Sequence, residues 1–326
     1  MGGDHAPGIT VRGSAQALAA DPDLRVLLVG DTALLEAEIQ KLPERPPRLE
    51  LVASGESISM DDHAVSAARK KRDSSIHKGI GLVKAGEARA FLSAGNSGAV
   101  MAVALLELGR LPQVERPAIA VRFPTAEGFV VLLDVGANVD CRPAHLVQFA
   151  QMGELFSRVI EGIANPRIAL LSNGSETHKG NELTRHTHEQ LSRLSGLNYQ
   201  GYAEGSDLFR GVADVVVCDG FVGNALLKTS EGLVDTLQRW LRKRVGNDFF
   251  SRLGVLLLRR TLREFRRKFD YQPYGAAPLL GIEGMVLISH GSSTDTAIRN
   301  GILTAKRGVQ EDFVRKMRST LRGTES

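Results

Sequence analysis

The chain has few cysteines and few aromatic residues. Only two cysteines, Cys141 and Cys218, occur in 326 residues, and they form no CxxC pair. This usage argues against a disulfide scaffold or a cysteine-based zinc site and is typical of a reducing cytosol. Aromatic residues make up 5% of the chain, whereas glycine occurs 34 times, which suits an enzyme with many tight turns between strands and helices.

Long apolar runs and targeting signals are also lacking. No run approaches the roughly 18 uninterrupted apolar residues of a membrane-spanning helix. The first residues, Met1 to His5, are not followed by the apolar core of a signal peptide. We therefore expect a cytoplasmic protein whose contact with a membrane, if any, is peripheral.

Acidic residues are scarce in only one segment. The chain has a formal net charge of +4, yet residues 239–269 contain 11 Lys/Arg and 2 Asp/Glu. The remainder is therefore mildly acidic. The excess of positive charge is therefore confined to residues 239–269.

Short apolar runs alternate with polar loops and helical stretches along the chain. The runs are Leu24–Val29, Leu49–Ala53, Ala88–Leu92, Phe129–Leu133, Arg167–Leu171, Val212–Cys218 and Met285–Ser289. This alternation predicts a three-layer α/β/α fold with a mainly parallel sheet. Right-handed crossovers bring the loops after the strands to one edge, where such sheets bind ligands. Because no linker divides the sequence, we expect one domain over residues 1–326.

The loops after these runs share glycine, asparagine, serine, aspartate and lysine. Their candidate site residues are Gly95, Asn96, Ser97, Gly98, Asp134, Asn138, Lys179, Asn181, Asp219, Gly220, Gly223, Asn224, Lys228 and His290. Glycine allows close approach of a ligand to the backbone, the amides and hydroxyls offer hydrogen bonds, and lysine supplies charge. The set suits a phosphate or a polarised carbonyl. No loop has the Walker A or GxGxxG spacing, and we expect neither cofactor nor metal.

The turn after Val212–Cys218 gives the clearest indication of an anion-binding site. We expect a helix to open near Asn224, with Lys228 one turn inside it. A helix start has unpaired N–H groups and partial positive charge, so the turn can hold an anion. An ordinary strand-to-helix turn is the alternative. Cys218 is expected to be a buried apolar residue, and His290 to be either a general acid or base or a structural hydrogen-bonding group.

The sequence pattern of residues 237–270 predicts a basic amphipathic helical segment. Leu258, Leu262 and Phe265 recur at helical spacing, and Arg259, Arg260 and Arg263 take the opposite side. Contact with an anionic membrane, docking of an acidic carrier protein, and packing on the body or a dimer partner all remain open. No recognised motif supports nucleic-acid binding.

These loops, in this order, resemble those of the bacterial phosphate acyltransferases of phospholipid synthesis. The resemblance runs over nearly the whole chain and rests on Met1–Pro7, Met60–Asp62, Lys70–Ser75, Ser93–Ala99, Leu133–Asn138, His178–Glu182, Asp219–Lys228, Tyr274–Gly281 and His290–Ser293. It implies a fold like that of isocitrate and isopropylmalate dehydrogenases and phosphotransacetylases, in a homodimer. Members usually have a short strand directly before the Met-Gly-Gly-Asp run, and Met1 is the first residue of that run.

The resemblance implies acyl transfer from acyl-acyl carrier protein to inorganic phosphate, the first step toward phosphatidic acid. Phosphate attacks the thioester itself, so no enzyme nucleophile is needed. We expect Lys179 and Lys228 to bind phosphate, and Asn224 with the Gly220–Asn224 backbone to stabilise the oxyanion. His290 is expected to protonate the leaving thiolate, while Asn96, Ser97, Asn138 and Asn181 orient substrate. A CoA-dependent phosphotransacetylase-like enzyme and a non-catalytic peripheral scaffold are the alternatives.

Overall fold

The computed structural model describes residues 2–126, 128–176, 178–245, 257–260 and 275–322. Its helices are α1 (Gly8–Ala20), α2 (Thr32–Ile39), α3 (Ala64–Lys70), α4 (Ser75–Lys84), α5 (Ser97–Glu107), α6 (Pro143–Val159), α7 (Glu182–Arg193), α8 (Gly205–Arg210), α9 (Gly220–Val245), α10 (Asp295–Gln310) and α11 (Phe313–Arg322). Its strands are β1 (Val26–Gly30), β2 (Leu49–Ala53), β3 (Ala90–Ser93), β4 (Ala118–Ile119), β5 (Val121–Pro124), β6 (Phe129–Leu133), β7 (Arg167–Leu171), β8 (Asn198–Ala203), β9 (Val215–Val217), β10 (Ala277–Leu280) and β11 (Met285–Ile288).

The strands form three sheets. The largest has the order β5-β6-β9-β7-β8 and is parallel except for β5. A second has the order β3-β11-β10-β4, in which β3 and β11 are parallel and β10 is antiparallel to both neighbours. Strands β1 and β2 form a parallel pair. The mainly parallel α/β architecture predicted from the sequence is confirmed, with its strands divided among these sheets.

Alternating side chains of the central strands bury both faces of the five-stranded sheet. Val131 and Leu133 of β6 pack in the same cluster as Leu146 and Phe149 of α6. Val130 and Leu132 belong instead to the cluster that receives the early turns of α9. Helices on both faces make this part of the fold three-layered and hold the carboxyl ends of β6, β9 and β7 at one edge.

The outer edges of β1 and β3 border an apolar cavity of about 440 Å³. Within the described residues, β1 pairs only with β2, and β3 pairs only with β11. Residues 24–29 and 88–94 line the cavity from either side, and Gly2 lies at its wall. In the same part of the chain, no helix has both the length and the apolar character required to cross a membrane.

Candidate active site

Loops from two sheets meet at the candidate site. In one sheet, loops follow β6, β9 and β7, which are adjacent and parallel, so the loops leave the same edge. In the other, loops follow the parallel neighbours β3 and β11. Lys228 of α9 joins the two groups, since its Nζ lies 3.1 Å from Nε2 of His290, just after β11. The site therefore lies at the edge where strands of both sheets end.

A buried carboxylate organises the loop after β6. Asp134 is fully buried, and its oxygens accept hydrogen bonds from the backbone N–H of Ile119 at 2.9 Å and of Asn138 at 2.6 Å. The Asn138 side-chain amide donates to Asp134 at 2.9 Å and to the carbonyl of Pro117 at 2.7 Å. Burial raises the pKa of Asp134, and these hydrogen bonds oppose that shift. Both side chains are occupied in shaping the loop.

Helix α9 begins at Gly220, four residues before the expected start, so Lys228 lies two turns along it. The backbone N–H of Gly220 donates to the carbonyl of Asn138 at 2.7 Å. A Cβ at Gly223 would lie 2.0 Å from the carbonyl oxygen of Asp134. Glycine is required there because helix and loop backbones are in close contact.

The N–H groups at the start of α9 have partners within the protein. Besides Gly220, Val222 donates to the Asp219 carboxylate at 2.9 Å, and Gly223 donates to the Asp219 carbonyl at 3.0 Å. Of the first four amides, that of Phe221 alone has no acceptor among the described residues. A carboxylate thus caps the helix end at which the sequence predicts an anion.

The start of α5, after β3, is organised differently. The side-chain oxygen of Asn96 accepts from Ala99 N–H at 3.0 Å, and its amide donates to backbone carbonyls of Ser59, Met60 and Asp62. The first two amides of the helix, those of Ser97 and Gly98, have no acceptor in the described part of the chain. A neutral residue therefore caps α5 and leaves two N–H groups available to an anion.

The first residues of the chain lie between the loops that follow β3 and β11. A Cβ on Gly2 would lie 2.4 Å from the Gly95 Cα, and a Cβ on Gly3 would lie 3.0 Å from the Gly291 carbonyl oxygen. Asp4 N–H donates to that same carbonyl at 2.8 Å. Close backbone packing therefore fixes Gly95 and the His290 loop relative to each other.

Two further groups flank the Lys228–His290 contact. The Glu231 carboxylate lies 2.8 Å from Lys228 Nζ, and the Ser292 hydroxyl lies 2.8 Å from His290 Nδ1. Neither residue was predicted from the sequence as part of the site. The spacing of three between Lys228 and Glu231 is typical of helical ion pairs and was the available signal.

Lys179 and Asn181 lie beyond β7, the neighbour of β9. The stem of Lys179 passes close to Gly174, where a Cβ would lie 2.7 Å from its Cγ. Asn181 caps α7 by accepting a hydrogen bond from Thr184 N–H at 2.9 Å. The structure places both residues at the site edge of the sheet, with the Asn181 oxygen engaged in the cap.

The thiols are poorly suited to act as nucleophiles. Cys218 is buried, as the sequence predicts, and burial raises its thiol pKa well above the ordinary value. Burial also raises the pKa of Cys141, to about 12. Both groups therefore remain protonated at neutral pH, and a thiolate intermediate is disfavoured.

The predicted basic segment is described only in part. Arg259 and Arg260 fall among the described residues, next to the exposed Leu258. The other predicted contacts, Leu262, Arg263 and Phe265, lie outside the described residues.

Comparisons with known proteins identify the family of this chain. A family model described as "Fatty acid synthesis protein" matches residues 1–316. The chain is 48% identical over 321 residues to the "Phosphate acyltransferase" of Geobacter sulfurreducens, covering 97% of this chain and 92% of that protein. It is 49% identical over 326 residues to the "Phosphate acyltransferase" of Myxococcus xanthus, covering 97% and 91% of the two chains.

Solved phosphotransacetylases share the fold. The enzyme from Streptococcus pyogenes matches with a TM-score of 0.62 at 19% identity, covering 94% of this chain and 92% of its own. The EutD phosphotransacetylase from Staphylococcus aureus matches with a TM-score of 0.58 at 16% identity, covering 93% and 92%. These matches confirm the predicted phosphotransacetylase-like fold. Taken with the curated relatives, they show that the chain belongs to the bacterial phosphate acyltransferase family and is an acyltransferase.

Proposed function

We propose that this protein transfers a fatty acyl group from acyl-acyl carrier protein to inorganic phosphate, giving acyl phosphate for phosphatidic acid synthesis. The observation that carries the proposal is the contact between Lys228 and His290. It places a cation and an imidazole, from different sheets, 3.1 Å apart at the shared edge. A cation suits an anionic nucleophile, and an imidazole suits a leaving group that takes up a proton.

Phosphate is held, in this proposal, between Lys228 and the start of α5. The Ser97 and Gly98 amides offer two N–H groups at the positive end of a helix dipole. Lys228 supplies the charge, and a bound phosphate would draw its ammonium group away from Glu231 and His290. Lys179, at the neighbouring strand end, adds a second cation.

The chemistry needs no covalent enzyme intermediate. A phosphate oxygen attacks the thioester carbonyl carbon and forms a C–O bond, and the carbonyl electrons move onto oxygen. The exposed Asn224 side chain stabilises that oxyanion, since three of the first four backbone amides of α9 are engaged elsewhere. The oxyanion collapses, the C–S bond breaks, and the sulfur leaves as a thiolate that takes a proton from His290 or from water.

The acyl donor is tested directly by trapping the product. Acyl phosphate is captured with hydroxylamine as the hydroxamate, using acyl-acyl carrier protein or acyl-CoA, each with and without phosphate. We expect phosphate-dependent product with the carrier protein as the better donor. Preference for acyl-CoA would favour the phosphotransacetylase-like alternative, and no product from either donor would overturn the proposal.

Lys228→Ala tests the role of the cation. We expect kcat/KM for phosphate to fall about 100-fold or more, because a charged group aimed at the reacting phosphate is lost. Lys41→Ala is the control, because Lys41 is exposed just after α2, on the side of the molecule away from these loops, and pairs with Glu38. Unchanged turnover and phosphate dependence in Lys228→Ala would remove Lys228 from the mechanism.

The C-terminal half of α9 presents an apolar surface. Leu233, Leu237, Trp240 and Leu241 recur at helical spacing and are all exposed. We propose that this stripe serves homodimer formation and, with the basic residues that follow, peripheral contact with anionic membranes. Light scattering of the wild type and of Leu237→Asp tests dimer formation. Sedimentation with anionic and neutral vesicles tests membrane contact, and a monomer that binds neither would contradict both parts.

A further inference from the structure

Two apolar features of the described structure lie close enough to the site loops to receive an acyl chain. One is the cavity between β1 and β3, which reaches Gly2 and Ala94. Its side walls are unpaired strand edges, whose N–H and C=O groups need hydrogen-bonding partners. A further β-strand satisfies such edges, and a hydrocarbon chain does not. The cavity is therefore a poor acyl site.

The other feature is an exposed pair of apolar side chains at the start of α9. Phe221 is 65% exposed, and Val139 in the loop after β6 is 60% exposed. The hydrogen bond from Gly220 N–H to the Asn138 carbonyl joins the backbones directly before them, at 2.7 Å. Close packing of Gly223 on Asp134 fixes that junction, so the backbone positions from which both side chains project are fixed relative to each other.

Phe221 shares a helix face with the proposed reacting groups. It precedes Asn224 by three residues and Lys228 by seven, spacings that align side chains along one face of an α-helix. The three side chains therefore follow one another over about 10 Å of helix. Their order is an aromatic group, an amide and a cation.

The reacting substrates present the same order of chemistry. The acyl chain is apolar, the thioester carbonyl next to it becomes an oxyanion, and the attacking phosphate is an anion. We infer that Phe221, with Val139 beside it, holds the carbonyl end of the acyl chain, so that the carbonyl meets Asn224 and phosphate meets Lys228. This inference rests on the proposed function and adds a chain-selecting residue to it.

Chain-length selectivity tests the inference. The kcat/KM of the wild type is measured without vesicles using two thioester donors: acetyl, which has no methylene groups to contact Phe221, and hexadecanoyl. The long-to-short ratio is then compared with that of Phe221→Ala. We expect the ratio to fall about tenfold, because apolar contact with the chain is lost. Phe221→Leu keeps an apolar side chain and restores most of the ratio. Leu34→Ala, an exposed apolar position on α2, leaves the ratio unchanged.

The outcomes separate this inference from the proposed function. If the wild type forms no acyl phosphate from any donor, the proposed function itself fails. Two results with an active wild type would overturn the inference that Phe221 contacts the acyl chain. In one, Phe221→Ala keeps the wild-type ratio; in the other, it loses activity equally with both donors. An effect of Phe221→Ala that appears only when vesicles are added would assign the residue to the membrane surface and also overturn the inference.

Discussion

The two helices that start at the candidate site differ in how their N-termini are capped. At α9, three of the first four amides donate to the Asn138 carbonyl or to the carboxylate and carbonyl of Asp219. At α5, the neutral Asn96 caps the helix, and the Ser97 and Gly98 amides have no acceptor in the described residues. A glycine-rich strand-to-helix turn is therefore not enough to identify an anion site. The partners of its N–H groups decide whether an anion can bind.

Disrupting the tightly packed turn at the start of α9 is expected to have the largest effect on stability. In Gly223→Ala, the new methyl group meets the Asp134 carbonyl oxygen, a backbone atom with little freedom to move. We expect the free energy of unfolding to fall by about 3 kcal/mol, as for severe overpacking. Urea denaturation measures it, with Gly232→Ala as the control because a Cβ there has no neighbour within 4 Å. Equal stability of the two variants would show that the turn is loosely packed.

Asp134→Asn tests the carboxylate beneath that turn. Asparagine keeps one side-chain oxygen and replaces the other with an NH2 group, which would face either the N–H groups of Ile119 and Ala137 or those of Asn138. Leaving buried donors unsatisfied is expected to reduce the free energy of unfolding by about 2 kcal/mol. Urea denaturation again measures it. A change below about 0.5 kcal/mol would mean that the loop holds its shape without the carboxylate.

Buried His77 is expected to make the stability of the fold around α4 and α5 sensitive to acid. His77 on α4 is 6% exposed, and its Nε2 has no partner among the described residues. Burial, with Arg72 nearby, lowers the pKa of His77, and Glu107 opposes the shift. The unfolded chain thus binds a proton near pH 6.5 that the folded chain does not, so stability falls as pH drops below that value.

The expected loss from His77 is at most about 1.4 kcal/mol for each pH unit, until the folded-state pKa is reached. Burial lowers the pKa of His145 too, but Glu115, 3.1 Å away, offsets part of the effect. Denaturation of His77→Gln between pH 7 and 5 should show a flatter pH dependence than that of the wild type. The exposed His186→Gln is the control, and an identical slope in all three proteins would contradict this account.

Strands formed by mainly apolar runs between turn residues were predictable from the sequence, and polar or Pro-containing ones were not. Phe129–Leu133 and Arg167–Leu171 have the predicted bounds and are almost wholly buried, and Leu49–Ala53 also has the predicted bounds, although its Glu50 is exposed. Strand β8 was missed because it is an edge strand with polar and glycine residues, and β10 because it contains Pro278. β4 is only two residues long.

The residues of the candidate site were easier to predict than their partners. Sequence patterns placed Lys228 one turn inside a helix and His290 in the loop after a strand, and the structure brings them into contact. The occupation of the α9 amides was not predictable, because the Asn138 carbonyl that accepts from Gly220 lies 82 residues earlier in the chain. Phe221 lies within the Asp219–Lys228 segment, but the sequence does not single it out, because exposure is a property of the folded chain.

The KM for phosphate of Ser97→Pro tests most directly whether α5 provides the anion site. Proline at the first helical position removes the N–H group and preserves the helix, and Asn96 (φ −57°, ψ 107°) is already outside the α region that a following proline disfavours. Ser97→Ala, which keeps the N–H, and Thr32→Pro at the first position of α2 are the controls. We predict that KM for phosphate rises about tenfold in Ser97→Pro alone, the loss of one hydrogen bond to a charged group. An unchanged KM in Ser97→Pro, or an equal rise in Ser97→Ala, would contradict the assignment of the phosphate to the amides of α5.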